Sequence, residues 1–269
     1  MKIGNRNFDF DNNAYIMAIL NVTPDSFSDG GKWNSVDSAL KHTEQLIAQG
    51  ADIIDVGGES TRPGYTKISD EEEIERISPV IEQIKSNFDI PVSLDTYKSK
   101  VAKAGIVVGA DLINDIWGLK YDDNMAKVIA DEKVACCLMH NRTDENYNNY
   151  MEDVLNDLRE TLDIAKKAGI EKDKIMIDPG VGFAKSYEQN LEIIEKCDKL
   201  LELGFPILLG TSRKSVVGLT VDRTADLRVA GTVATTVIGY EKGCRFFRVH
   251  DVAENLDAIK MAKAITKFR

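Results

Sequence analysis

One short pattern recurs along this chain. An apolar run of two to six residues stops at a polar residue or a glycine-rich loop, and an amphipathic helix follows. The runs cover residues 15–20, 53–56, 92–94, 112–113, 134–139, 175–177, 206–209 and 246–249. Runs this short, and apolar without alternation, suit strands covered on both faces. Helices are predicted between them: from an N-cap at Ser35 to Gly50, from Ser69 through Ile84, then over 99–108, 125–131, 150–168, 187–203, 225–240 and 256–266. Strict alternation with short connections predicts a parallel sheet with right-handed crossovers. Eight such units in about 255 residues match a closed (β/α)8 TIM barrel. The expectation is an α/β chain with one domain, 1–269, whose barrel spans about 14–268. A doubly wound open sheet is the alternative, but no Gly-x-Gly-x-x-Gly follows the first run.

The polar residues all stand at the same end of the runs. The run 175–177 stops at Asp178, and Pro179 with Gly180 and Gly182 ends the strand there. In such a barrel the active site is built from the carboxyl ends of the strands and the loops after them. Asn21, Thr61, Arg62, Asp95, Asn114, Asp115, His140, Asp178, Ser212, Lys214, Arg248 and His250 gather there, while the opposite loops are short and plain.

The residue types narrow the chemistry. Asp95, Asn114 and Asp178 come from different strands and suit a flat heterocycle with adjacent N–H donors. Lys214 can meet a ring acceptor. Arg248 and His250 are two apart on one strand, so both point to one side and, with Asn21, suit a phosphate or diphosphate. A pair of ordinary ion pairs at the barrel end is the competing reading of Arg248 and His250. For Asp178 alone it is a helix cap, for Asn114 a turn residue, and for Met139 a core residue. The polar segment 141–149 reads as a mobile loop.

Composition removes other classes. The net charge is −10 and the pI about 5.0, which does not favour nucleic acid or an anionic membrane surface. Cys136, Cys137, Cys197 and Cys244 lack metal spacing and predict reduced, buried thiols in a cytoplasmic protein. No apolar run is long enough to span a bilayer, and the polar stretch 1–13 lacks a signal-peptide core.

Seven stretches together resemble the dihydropteroate synthase family: NVTPDSFSDGG at 21–31, GGESTRPG at 57–64, SLDT at 93–96, IND at 113–115, DPGVGF at 178–183, TSRK at 211–214 and RVH at 248–250. The resemblance runs from the first strand to the eighth, with every motif in order. It implies a transferase of folate biosynthesis that joins 6-hydroxymethyl-7,8-dihydropterin diphosphate to 4-aminobenzoate and releases diphosphate. By this resemblance Asp95, Asn114, Met139, Asp178 and Lys214 hold the pterin. Asn21 binds Mg²⁺, and Asn21, Thr61, Arg248 and His250 hold the diphosphate. Arg62, Pro63, Phe183 and Ser215 form the aminobenzoate site. Asp29 faces the developing cation, and Lys214, Arg248 and His250 join it as catalytic residues. The resemblance also implies a homodimer and a sulfonamide target. Two rivals share the pterin site. A corrinoid-dependent methyltransferase would have no need of Arg62, Ser215 or the Arg248/His250 pair. A silent paralogue would bind pterin without turnover.

Overall fold

The computed structural model describes residues 1–22, 32–59 and 67–268, and of residues 32–35 the backbone alone. A two-stranded antiparallel hairpin, β1 (Lys2–Ile3) and β2 (Arg6–Asn7), precedes the barrel. Then β3 (Tyr15–Asn21), α1 (Lys32–Ala48), β4 (Ile53–Gly57), α2 (Asp70–Asn87), β5 (Val92–Asp95), α3 (Ser99–Val107) and β6 (Leu112–Asp115) alternate. They continue as α4 (Met125–Glu132), β7 (Ala135–Met139), α5 (Tyr150–Ala168), β8 (Ile175–Asp178), α6 (Tyr187–Glu195), β9 (Leu208–Leu209), α7 (Ser215–Val221), α8 (Val229–Glu241), β10 (Phe246–Val249) and α9 (Val252–Thr266). The eight strands β3–β10 form one sheet in the order β8-β7-β6-β5-β4-β3-β10-β9, with parallel pairing throughout. A parallel bridge, Ile177↔Ile207, joins the two ends and closes the barrel. No helix among the described residues is long and apolar enough to cross a membrane.

Pleating sorts the strand residues between two cores. Ile16, Ala18, Ile54, Val56, Leu94, Ile113, Leu138, Ile177 and Phe247 face the surrounding helices in one large cluster. Met17, Ile53, Leu112, Ala135, Cys137, Met176, Leu208 and Phe246 fill the floor of the barrel with Ile3 and Phe8 of the amino-terminal segment. Phe8, Tyr15 and Phe246 form an aromatic plug, with centroids 4.8 Å apart for Phe8–Tyr15 and 5.5 Å for Tyr15–Phe246. Two residues further along the inward face the side chains turn polar: Asp55, Ser93, Asn114, Asp178 and Arg248 replace the apolar floor. The chain thus builds a dry base and a charged mouth from one alternation.

The structure corrects three local expectations. Ser35 lies inside α1, which begins at Lys32, and is not its cap. The helix expected over 187–203 ends at Glu195 and continues as a 3-10 segment, Cys197–Leu203. The tighter winding aligns residues three apart, which sends both Cys197 and Leu200 inward. The helix expected over 225–240 is a 3-10 turn, Ala225–Leu227, followed by α8, and α7 before it went unpredicted. The segment 141–149 forms neither helix nor strand; within it Arg142 pairs with Asp157, and the Tyr147 hydroxyl donates to the Ala184 carbonyl at 2.8 Å.

Candidate active site

At the centre of the mouth β10 places Arg248 between two strands. Its Nε donates to Asp55 Oδ2 and its Nη2 to Asp95 Oδ2, each at 2.6 Å. The ion-pair reading of Arg248 therefore describes this state of the site. Asp55 is fully buried and also accepts from the Ser93 hydroxyl at 2.5 Å. Burial works against the Arg248 charge, but Asp55 and Asp95 hold the guanidinium firmly protonated. Asp95 keeps its other oxygen, Oδ1, buried and without any hydrogen-bond partner among the described residues. Burial pushes this carboxyl up to about 7 despite the neighbouring Arg248, with Asp55 adding to the rise. An orphan acceptor in a dry site costs free energy until a donor arrives.

The other side of the mouth is formed by β8 and the loop after β9. Asp178 Oδ1 accepts the Gly180 N–H at 2.6 Å, a local turn contact. Its Oδ2 faces Gly210, where an added Cβ would sit 3.7 Å from that oxygen and 3.8 Å from Arg248 Cβ. Gly210 thus leaves open the space between Asp178 and Arg248. Burial raises the Asp178 carboxyl as well, against the pull of Lys214. Lys214 donates to the Val181 carbonyl, and its Nζ lies 4.5 Å from the centre of the Phe183 ring. Burial pushes this amine down to about 8, with Asp178 opposing. Asn114 is buried on β6 directly beside Asp95, and Asn21 flanks the same position across Gly57. His250 Nδ1 lies 3.0 Å from the Ser212 hydroxyl. Met139 belongs to a small cluster at the rim with Tyr97 and Ile116, against which Trp117 and Phe183 pack.

The structure thus brings together Asn21, Asp95, Asn114, Met139, Asp178, Phe183, Lys214, Arg248 and His250. Ser215 opens α7 and is exposed next to Lys214. Asp29, Thr61, Arg62 and Pro63 lie outside the described residues. Asp115 and His140 turn away from the mouth. Asp115 accepts the N–H groups of Trp117 and Leu119 at 2.9 and 2.7 Å, so it shapes its own loop. His140 points towards Asp157 on α5.

Several site residues escaped the sequence reading. A charge inside the apolar run Ile53-Ile54-Asp55-Val56 was the available sign for Asp55. Glu59, Glu73 and Lys98 form a buried ion triad, with Lys98 Nζ at 2.9 Å from Glu59 and 2.8 Å from Glu73. Glu59 also accepts the Ile68 N–H, so the triad joins the two described ends of the loop after β4. Arg228 donates to the carbonyls of Arg213 and Lys214 at 2.8 and 3.3 Å. Arg213 itself sits at φ +58° and pairs with Asp251. The loop that presents Lys214 is therefore clamped from behind.

Mg²⁺ can be weighed against these residues. It keeps several waters and takes few protein ligands beside substrate phosphates. Asn21, half-buried with its amide oxygen towards Gly57, fits a single neutral oxygen ligand at the mouth.

Residues 17–250 match the family described as pterin binding enzyme. A dihydropteroate synthase of Clostridium beijerinckii is 59% identical over 99% of this chain and 100% of its own length. A dihydropteroate synthase from Clostridium difficile, solved in the presence of pteroic acid, superposes with a TM-score of 0.94 at 48% identity, covering 96% of this chain and 99% of that one. That of Xanthomonas albilineans, in complex with 7,8-dihydropteroate, gives 0.89 at 38% identity over 97% of each chain. With a closed parallel barrel, an acid–amide mouth and likeness along nearly its whole length, the chain belongs to the dihydropteroate synthase family.

Proposed function

We propose that this chain condenses 6-hydroxymethyl-7,8-dihydropterin diphosphate with 4-aminobenzoate, yielding 7,8-dihydropteroate and diphosphate. The observation that carries the reading is the orphan Asp95 Oδ1, buried beside Asn114 at the charged end of the barrel. A pterin edge offers N–H donors that this oxygen and Asp178 Oδ2 can accept. Lys214 is suited to a ring acceptor, and Met139 to one face of the ring. Arg248 uses two of its N–H groups on Asp55 and Asp95, and a guanidinium has five donors in all, so diphosphate can be met by the rest. His250, Thr61 and Asn21 complete that end. Mg²⁺, held by Asn21 and the diphosphate, would add positive charge to the leaving group.

The carbon–oxygen bond to diphosphate breaks with its electron pair leaving on oxygen. Arg248 and His250 stabilise that growing charge. The methylene cation is conjugated to the pterin ring, and Asp29 offsets its charge. The arylamine nitrogen then forms the new carbon–nitrogen bond and gives up a proton. Phe183, Ser215, Arg62 and Pro63 orient the aminobenzoate, whose amine is neutral at pH 7, so the protein chiefly positions two substrates and excludes water. Sulfonamides would compete for that subsite. The reading extends to a homodimer in the cytoplasm. The exposed apolar side chains Met261, Ile265 and Phe268 at the carboxyl end support the dimer, and four free cysteines support a reducing compartment. The test is diphosphate release from the dihydropterin diphosphate with and without 4-aminobenzoate. Release that requires both substrates and is matched by dihydropteroate supports the reading; no release under either condition overturns it.

A further inference from the structure

Behind the mouth lies a second group of ionisable side chains that the reaction above does not use. Lys185 follows the Asp178–Phe183 motif and is only 6% exposed. Its Nζ donates to the Phe183 carbonyl at 3.0 Å and to His140 Nδ1 at 2.9 Å. His140 Nε2 lies 2.9 Å from Asp157 Oδ2. Asp157 is also gripped by Arg142, Nε at 2.6 Å and Nη2 at 3.2 Å, which keeps it an acceptor. The Nε2–H therefore points at Asp157, and Nδ1 is left as the lone pair that receives Lys185. Burial pushes His140 down to about 4, so the ring is neutral and this polarity holds.

A buried lysine is costly, and this one also faces charge from every side. Asp178 on β8 and Asp157 on α5 favour its ammonium form; Lys214 after β9 and Arg142 after β7 oppose it. Burial dominates and brings the amine down to about 7. In either protonation state it retains two N–H donors for its two acceptors. The segment it pins has little freedom left. The Gly182 N–H is accepted by Asn190, and Asn190 Nδ2 donates to the Lys185 and Ser186 carbonyls at 3.0 and 2.8 Å. Gly180 packs so close to the His140 carbonyl that a Cβ there would come within 2.0 Å of its oxygen. Between these anchors the segment offers two things to the mouth: the Val181 carbonyl that receives Lys214, and the Phe183 ring beside it.

We propose that Lys185 is a positioning residue: by tying the Phe183 carbonyl to the His140–Asp157–Arg142 chain, it sets the Phe183 ring and so the affinity for the arylamine substrate. This rests on the reading that the chain is a dihydropteroate synthase whose Phe183 lines the aminobenzoate subsite. The pterin contacts on Asp95 and Asn114 come from other strands, whereas Asp178 and Lys214 border the pinned segment, so the pin acts most directly on Phe183 and less on the pterin.

The experiment is steady-state kinetics of Lys185→Met against the wild-type protein, varying each substrate in turn, with calorimetry of a bare pterin as control. Two hydrogen bonds are lost, and even one of them expressed in binding corresponds to about tenfold. The expected result is a KM for 4-aminobenzoate raised about tenfold, with the KM for the pterin diphosphate and the pterin affinity changed much less. His140→Gln should raise the same KM, and the double variant should be no worse than Lys185→Met alone, since both act through one contact. If Lys185→Met does not fold, His140→Gln is read in its place, with the same rise in the KM for 4-aminobenzoate expected. A parallel rise in both KM values, a fall in kcat alone, or no change overturns the proposal while leaving the activity standing. A wild-type protein that fails to release diphosphate overturns the activity itself.

Discussion

Arg248 is held by two carboxylates from neighbouring strands, and that arrangement decides how much each residue can be altered. Asp55 is fully buried, so removing it strands part of a guanidinium in a dry site. Breaking a buried pair in this way costs about 3–5 kcal/mol. Asp55→Ala should show a loss of that size in urea unfolding; a loss below about 1 kcal/mol would mean that Arg248 escapes to water. His140 gives a pH signature. Its folded value, about 4, lies below the ordinary 6.5. As pH falls, the unfolded chain takes up this proton first, so the stability is complete above 6.5 and is lost between 6.5 and about 4. The full effect is up to about 3 kcal/mol. Unfolding followed across that window should show the slope in the wild-type protein and a flatter one in His140→Gln. An equal slope in both would remove His140 as the source. Asp157 acts lower on the scale: burial would raise it, but His140 and Arg142 hold it below the ordinary carboxylate range.

Among the elements, the loops after β8 and β9 matter most, because each is fastened by residues distant in sequence. Arg228 reaches back to the Arg213 and Lys214 carbonyls, and its guanidinium lies against Gly218 of α7, where a Cβ would approach Arg228 Cζ to 2.2 Å. Helix α7 ends at Val221, with Asp222 beyond it in the left-handed region at φ +51°, and the chain then turns to bring Arg228 under the loop. Arg228→Ala removes hydrogen bonds from a charged donor, worth about 1.5–3 kcal/mol. It should lower kcat/KM about tenfold by loosening Lys214, while the far-UV circular dichroism stays unchanged. Unaltered kinetics would show that Arg213–Asp251 alone holds the loop. The long helix α5 needed no such partner. Its acidic first turn and the αL Gly169 at its end bound it, and both are legible in sequence.

At the scale of the whole molecule the amino-terminal segment fills the barrel floor, and the charged residues stand at the other end. Phe8 is 4% exposed and stacks under the barrel floor, although it belongs to a polar amino-terminal stretch that gave little sign of a core role. Phe8→Ala should destabilise the protein by about 3–5 kcal/mol in denaturant unfolding and leave the KM values unchanged, because the mouth lies at the opposite end. A change in substrate affinity would show that floor and mouth are coupled.

The sequence by itself determined the architecture and the polar rim. Short apolar runs ending in Asn21, Asp95, Asn114, Asp178 and His250 carry a period and a polarity that hardly any other packing can satisfy. The strands and the helix over 150–168 were therefore legible, as was the gathering of the motif residues at one end. Only the tertiary structure decided the partners: Arg248 between Asp55 and Asp95, Lys185 on His140, Arg228 on Lys214, and Phe8 beneath Phe246. The physical reason is one of range. Periodicity and capping are fixed by neighbours within a few residues, whereas a buried charge is satisfied by whichever group the closed barrel brings to within about 3 Å of it.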